Sequence, residues 1–201
     1  FGNGMTKKNT PAELRETLFY RLGETQFELE QFEPATVTFL AQVKDFPTGR
    51  LLIPARFRAA ECFYRQSKFA DAYAHYDAVV ESKDEKYVPN ALYRGGDSAG
   101  ALKRWPDSQK MYEALITGFA SFYAINEARF GLGFALQNQN QLDKALQVYE
   151  AVTKTTSSPT AAKCRFMMGE IVFSRKKYAE ASAHFLEVVV GYPDKEQYAE
   201  W

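Results

Sequence analysis

Histidine and cysteine side chains are the residues of this chain best suited to bind a metal or to act as nucleophiles. The 201 residues contain two of each: His75, His184, Cys62 and Cys164. A zinc site needs about four ligands, usually in closely spaced pairs such as Cys-x-x-Cys. No such pair occurs, and the two histidines lie more than a hundred residues apart. We therefore predict no metal centre and interpret both cysteines as buried apolar residues.

A second candidate for chemistry is the run Gly96-Asp97-Ser98-Ala99-Gly100. It resembles the Gly-Asp-Ser-Gly run around the reactive serine of some serine proteases. That chemistry needs a β-barrel setting and an activating His and Asp, whereas Gly96 fits the small position of a helical repeat. Nor does a glycine-rich loop follow a strand, as a nucleotide site would require. We therefore expect no enzyme activity and no cofactor.

The composition restricts the partners of the chain. Lys and Arg total 25, Asp and Glu total 25, and the formal net charge is zero, so nothing draws the whole chain to nucleic acid or anionic lipid. The 16 Phe and 12 Tyr are enough to build a folded core. No apolar run approaches the ~18 residues of a membrane-spanning helix, and Phe1 to Thr10 lack the apolar stretch of a signal peptide. We expect protein partners, without nucleic acid and without a membrane span.

Five copies of one pattern run through the chain. Each copy is centred on a small residue, and these residues recur every 36 or 37 positions: Gly23, Ala60, Gly96, Gly133 and Gly169. An aromatic residue stands three positions before each of them: Tyr20, Phe57, Tyr93, Phe130 and Phe166. Another stands sixteen positions after: Phe39, Tyr76, Tyr112, Tyr149 and Phe185. Such regular self-similarity indicates a repeat architecture.

Each copy is predicted to be a pair of helices. Within its second half, apolar residues recur at helical spacing, as in Ala72, Tyr76 and Val79. Helix-breaking and capping residues separate the halves, for example Glu33-Pro34 and Pro106-Asp107. The small residue of the first helix would let the second helix approach closely.

These repeats define the expected domains. Residues 1–10 form a flexible N-terminal stub, and residues 11–201 form a single array. Its repeats lie near 16–52, 53–88, 89–125, 126–161 and 162–197, with the start of a sixth up to residue 201. Trp201 would stand near the aromatic position of that sixth repeat, and we expect both ends to be cut from a longer protein.

The pattern resembles the tetratricopeptide repeat (TPR) family across residues 16 to 194. Leu22-Gly23, Ala35, Phe39 and Pro47 match one copy of the family pattern, whereas Gln42 stands where a second Ala or apolar residue is usual. The resemblance implies an all-α fold, a right-handed α-solenoid of about five TPR-like helical hairpins. Neighbouring hairpins stack in such a fold and present a concave binding surface.

Runs of the form Ala-x-aromatic, such as Ala55-Arg56-Phe57, are also similar to repeats of bacterial envelope proteins. Those include the periplasmic coordinator of the Tol-Pal system and the lipoprotein of outer-membrane protein assembly. This similarity favours a periplasmic or envelope-associated location and leaves a cytoplasmic one open.

The TPR resemblance places a partner-binding groove on the first helices. Its positions are the aromatic residue, the residue after the small one, and those four or five beyond it. They correspond to Tyr20, Glu24, Phe27, Glu28, Phe57, Glu61, Tyr64, Arg65, Tyr93, Asp97, Phe130, Phe134, Gln137, Phe166, Glu170 and Phe173. Aromatic residues beside carboxylates favour a protein or peptide partner that is apolar with basic residues. The aromatics could equally be core packing, and the carboxylates a solvated helix face.

We interpret the chain as a protein–protein interaction scaffold or adaptor. One alternative is a structural subunit that stacks on copies of itself, through the C-terminal end around Trp201, or that is embedded in a larger complex. Another is a non-catalytic part of a larger enzyme. The sequence leaves both open.

Overall fold

The structure, a computed structural model, describes residues 11–191. Over that range the chain forms ten helices and no strand, so the predicted all-α class is confirmed. The helices are α1 (Ala12–Glu28), α2 (Phe32–Asp45), α3 (Leu52–Arg65), α4 (Phe69–Glu81), α5 (Val88–Ala101), α6 (Trp105–Gly118), α7 (Ile125–Asn138), α8 (Leu142–Thr155), α9 (Pro159–Ser174) and α10 (Tyr178–Gly191). The predicted N-terminal stub, the sixth repeat and the proposed contact around Trp201 lie outside the described residues.

The chain divides into two compact units, residues 1–103 and 104–201. In unit 1, α1 packs on α2, α2 on α3, α3 on α4 and α4 on α5. In unit 2, α6 packs on α7, α7 on α8, α8 on α9 and α9 on α10. Within each unit, every helix therefore packs on the helix that follows it, both inside a hairpin and from one hairpin to the next.

The core of unit 1 consists of aromatic and small side chains. Ala35 and Phe39 of α2 pack with Ala55, Ala59 and Cys62 of α3, and all five are fully buried. The two cysteines of the chain are both buried, as the sequence predicts. Burial raises the pKa of the Cys62 thiol and of the Cys164 thiol to about 12, because it disfavours the thiolate.

The small residue of a repeat lies directly against the aromatic residue sixteen positions later. A Cβ atom on Gly23 would lie 2.6 Å from Cε1 of Phe39, and one on Gly169 would lie 2.5 Å from Cε1 of Phe185. Larger side chains at these positions would separate the two helices of the hairpin. The sequence prediction of a close helix approach is confirmed.

The turn between the first and second helix of each repeat contains one residue in the left-handed conformation. These residues have φ between 57° and 61° and recur with the period of the repeat: Glu30, Ser67, Lys103, Asn140 and Lys176. The backbone N–H of the residue that follows the left-handed one closes the turn. The N–H of Lys68 donates to the Phe63 carbonyl at 2.9 Å, and the N–H of Gln141 donates to the Leu136 carbonyl at 2.9 Å. This is the Schellman geometry that usually has glycine at the left-handed position, and none of the five is glycine.

Candidate functional site

The predicted groove contains one aromatic residue from the first helix of each repeat, and we term these five residues the aromatic ladder: Tyr20, Phe57, Tyr93, Phe130 and Phe166. All five are half-buried, so the ladder is partly core and partly surface. Four of them pack against the second-helix aromatic of their own repeat, with ring-centroid distances of 5.8 Å for Tyr20–Phe39, 5.9 Å for Phe57–Tyr76, 5.9 Å for Phe130–Tyr149 and 5.8 Å for Phe166–Phe185. One part of each ring therefore holds the hairpin together, and the remainder is open to solvent.

In unit 1, an arginine joins one predicted carboxylate to one predicted aromatic residue. The Nε atom of Arg58 lies 2.6 Å from Oε1 of Glu24, and its guanidinium carbon lies 4.9 Å from the ring centroid of Phe27. Burial disfavours the charged form of Arg58, but Glu24 and Tyr20 outweigh this and raise its pKa. The three side chains connect α1 to α3.

The same arrangement recurs one repeat later. The guanidinium carbon of Arg94 lies 4.9 Å from the Tyr64 ring centroid. Its Nε lies 3.9 Å from Oε1 of Glu61, and its Nη1 lies 3.5 Å from Oδ2 of Asp97. Glu61 also accepts a hydrogen bond from the buried Tyr76 hydroxyl. Three predicted carboxylates of unit 1 thus have arginine partners within the chain.

Sequence reasoning missed Arg58 and Arg94. Both stand immediately after the aromatic residue of their repeat, a position that the TPR resemblance does not assign to the groove. A signal was available, since arginine follows the aromatic residue in each of the first three repeats, as Arg21, Arg58 and Arg94. In repeats four and five that position holds Gly131 and Met167, so the arrangement does not extend to unit 2.

The corresponding surface of unit 2 is more apolar. Phe134 is 39% exposed and Phe173 is 53% exposed. The Phe134 ring lies 5.7 Å from Trp105, and the Phe173 ring lies 5.3 Å from Tyr178. Glu170 is exposed on α9. This surface offers aromatic rings beside a carboxylate.

A pocket of about 300 Å³ lies among α7, α9 and α10. Its lining is largely apolar and includes Phe130, Phe166, Met167, Phe185, Val188 and Val189. Two members of the predicted ladder therefore form one wall of an open apolar site.

The residues suspected of chemistry are placed in structural roles. Ser98 is buried inside α5, and its hydroxyl donates to the Arg94 carbonyl at 2.8 Å. His75 stacks on Phe63, and burial lowers its pKa. Over residues 11–191, no group of three or more His, Cys, Asp or Glu could hold a metal ion. No helix in that range is long and apolar enough to cross a membrane.

Comparison with known protein families identifies a family that this chain matches. The sequence model of the family "Tetratricopeptide repeat" matches residues 93–159 and 135–196, which together span more than half of the chain. No curated protein sequence matches.

Solved structures share the fold at low sequence identity. MamA from Desulfovibrio magneticus RS-1 has a TM-score of 0.76 at 14% identity, over 92% of this chain and 98% of that one. YrrB, described as a TPR protein with an unusual peptide-binding site, has a TM-score of 0.72 at 17% identity, over 88% of this chain and 86% of that one. These likenesses confirm the fold class predicted above, an α-solenoid of TPR-like helical hairpins. The similarity to bacterial envelope proteins stays a prediction.

Proposed function

Because the chain belongs to the tetratricopeptide repeat family, we propose that it is a scaffold or adaptor that binds a segment of another protein on its first-helix surfaces. Protein–protein interaction is the general role of stacked helical repeats. The observation that carries the proposal is the exposed aromatic surface of unit 2. Phe134 and Phe173 keep 39% and 53% of their surface in solvent although each lies in an aromatic cluster.

The partner segment should be mainly apolar. Exposed rings gain free energy when a partner covers them, at about 25 cal/mol for each Å² removed from water. Tyrosine and phenylalanine are also enriched where proteins bind one another. The half-buried rings are already fixed by packing, so little side-chain entropy is lost on binding.

A basic residue in the partner fits unit 2 better than unit 1. Glu170 and Phe173 stand three positions apart on α9, so they share a helix face, and both are exposed. A partner Lys or Arg could contact this carboxylate while its neighbours cover the ring. In unit 1 a partner cation would have to share Glu24 with Arg58 and Glu61 with Arg94.

Peptide selection with matched surface variants tests the proposal. Peptides selected from a random display library would be measured against the wild-type chain by fluorescence polarisation. The double variant Phe134→Ser with Phe173→Ser should bind them at least about tenfold more weakly, a loss of about 1.4 kcal/mol. The control variant Val37→Ser with Tyr123→Ser replaces two apolar residues outside the proposed surface, which are 69% and 78% exposed. It should bind the peptides as the wild type does.

The charge of the partner is tested separately. Glu170→Lys should weaken the binding of peptides that carry Lys or Arg and leave the binding of uncharged apolar peptides unchanged.

The proposed surface would be wrong if the variant Phe134→Ser with Phe173→Ser bound every selected peptide as tightly as the control variant does.

A second candidate function is a structural subunit that stacks on copies of itself. The observation that favours it is the apolar side of α10, where Leu186, Val189 and Val190 are 60%, 69% and 67% exposed.

A further inference from the structure

Two arginines on the first helices of unit 1, Arg58 and Arg94, each lie over an aromatic ring of the preceding repeat, and we term them the stacked arginines. Their guanidinium carbons lie 4.9 Å from the ring centroids of Phe27 and Tyr64, respectively. Both distances are within the ~6 Å at which a cation and a ring attract each other. The two arginine side chains keep 28% and 37% of their surface in solvent. Each is therefore fixed against a ring of the chain while part of it stays accessible to a partner.

The charge of each stacked arginine is balanced within the chain. Glu24 lies 2.6 Å from Nε of Arg58, and Glu61 and Asp97 lie 3.9 Å and 3.5 Å from nitrogen atoms of Arg94. A carboxylate of a partner would have to compete with these side chains, and a partner cation would be repelled by the arginine itself. A charged partner group therefore gains little at either position.

An aromatic side chain is the partner group that gains most from such an arginine. A guanidinium group is planar and weakly hydrated, and it stacks readily on aromatic rings. The attraction comes from the quadrupole of the ring, so the arginine can keep its carboxylate while a partner ring covers it. Because Glu24 and Phe27 already hold Arg58 in place, little side-chain entropy is lost on binding.

The stacked arginines occupy the same position of consecutive repeats. Packed helices lie roughly 8–10 Å apart, so two rings bound to these arginines should be separated by about that distance. An extended chain rises roughly 3.3 Å per residue, and three residues therefore span it. The corresponding positions of repeats four and five hold Gly131 and Met167, so this pair of arginines belongs to unit 1.

We propose that the stacked arginines bind two aromatic side chains of an extended partner segment, about three residues apart. The inference rests on the proposed function, because it assigns a chemistry to the part of the partner that contacts the first helices of unit 1. The two can fail separately. The test of this inference concerns Arg58 and Arg94, whereas the test of the proposed function concerns Phe134 and Phe173.

Labelled peptides of Gly and Ser that carry two Trp residues three positions apart test the inference on the full wild-type chain. Fluorescence polarisation compares this Trp peptide with matched peptides that carry two Leu or two Asp residues instead. The Trp peptide should bind at least about tenfold more tightly than either, since Trp attracts cations best among the aromatic side chains.

Ring fluorination tests the cation–ring attraction without any change to the protein. A Trp peptide with fully fluorinated indole rings keeps nearly the same shape and apolar area, but the fluorine atoms withdraw negative charge from the ring faces. Its affinity for the wild-type chain should fall about tenfold, because the quadrupole that attracts the guanidinium group is lost.

Glutamine variants show which arginines are responsible. Arg58→Gln with Arg94→Gln removes both positive charges and should bind the Trp peptide about tenfold more weakly than the wild type. Arg175→Gln is the matched control, because Arg175 pairs with Asp143 at 2.8 Å in unit 2 and its side chain is 33% exposed. This control should bind the Trp peptide as the wild type does. Should the double variant lose its helical circular-dichroism signal, the fluorinated peptide decides.

Several results would overturn the inference. Equal affinities for the Trp and Leu peptides, or for the ordinary and fluorinated Trp peptides, would show that only apolar area matters. Tighter binding of the Asp peptide would assign the stacked arginines to carboxylates. Failure of the Trp peptide to bind the wild-type chain, while peptides selected from the library do bind, would remove this inference and leave the proposed function intact. So would a Trp peptide that depends on Phe134 and Phe173 and not on the stacked arginines.

Discussion

A Cβ atom on Gly133 would lie 2.4 Å from Cε1 of Tyr149, whose side chain is completely buried. The two helices α7 and α8 can approach this closely only because residue 133 lacks a side chain. The ring of Tyr149 is enclosed by a packed interior, so it cannot move aside without disturbing its neighbours.

Gly133→Ala should therefore lower the free energy of unfolding by about 1–3 kcal/mol, the usual cost of overpacking. Gly118→Ala is the control, because a Cβ atom there meets nothing within 4 Å. It should be neutral or stabilising by about 0.4–1 kcal/mol through reduced entropy of the unfolded chain. Urea unfolding of both variants measures the difference, and equal midpoints would contradict the steric argument.

The sequence predicts this hairpin geometry because side-chain volume alone decides it. A small residue and an aromatic residue at fixed positions of a repeat specify one close approach, and Gly23, Gly133 and Gly169 all conform. The pairing of Arg58 with Glu24 was not predicted, because it depends on which first-helix side chains meet across neighbouring repeats. The left-handed turns were not predicted either, because the residues at their left-handed positions, such as Ser67 and Lys176, are not glycines.

Those turns give a second stability prediction. Ser67 has a φ of 57°, a conformation that costs a residue with a Cβ atom roughly 1–2 kcal/mol. Ser67→Gly should relieve this strain and raise the free energy of unfolding by about 0.5–1 kcal/mol, after the entropy cost of glycine. Ala74→Gly, at an exposed position in the interior of α4, should lower it by about 1 kcal/mol. Thermal unfolding distinguishes the two, and a loss of stability in both variants would rule out strain at residue 67.

Gln42 occupies a core position with an amide that is not hydrogen-bonded. It is 0% exposed, and neither its Oε1 nor its Nε2 has a hydrogen-bond partner in the part of the chain that the structure describes. The corresponding residues of the next three repeats are Val79, Leu115 and Val152, all fully buried. The departure from the TPR pattern at this position therefore has a physical cost.

Gln42→Met keeps the length of the side chain and removes the buried amide. It should raise the free energy of unfolding by about 1–3 kcal/mol, the cost of an unsatisfied buried polar group. Gln42→Glu keeps the shape and adds a charge, so it should destabilise at neutral pH and recover part of the loss in acid, where the carboxyl is protonated. Chemical denaturation at two pH values measures both, and a less stable Met variant would indicate that the amide is satisfied in solution.

Two tyrosines at the same repeat position make hydrogen bonds of different strength. Tyr76 donates to the Glu61 carboxylate, and Tyr149 donates to Oε1 of Gln137 at 3.1 Å. Hydrogen bonds to charged groups contribute about 1.5–3 kcal/mol and neutral ones about 0.5–1.5 kcal/mol. Tyr76→Phe should therefore cost about 1.5 kcal/mol, and Tyr149→Phe about 0.5 kcal/mol. Both rings keep their packing, as Phe39 does at this position, so a larger loss for Tyr149→Phe would contradict the assignment.

Buried thiols should make the fold sensitive to alkaline pH. Burial raises the pKa of Cys62 and Cys164 from the ordinary 9.0 to about 12, so the unfolded chain releases these protons at lower pH than the folded chain does. The stabilising effect of the neutral thiols is complete below pH 9 and is lost as pH rises from 9 to 12. Each thiol can contribute up to about 1.4 kcal/mol per pH unit to this decline.

Urea unfolding between pH 8 and pH 11 measures the effect, with Cys62→Ala and Cys164→Ala combined in one variant as the comparison. The variant should show a shallower decline than the wild type, whatever its stability at neutral pH. Some decline should remain, because burial also raises the pKa of Tyr76 and of Tyr149 above the ordinary 10.0. Identical slopes for the variant and the wild type would show that the two thiols ionise as readily in the folded chain as in the unfolded one.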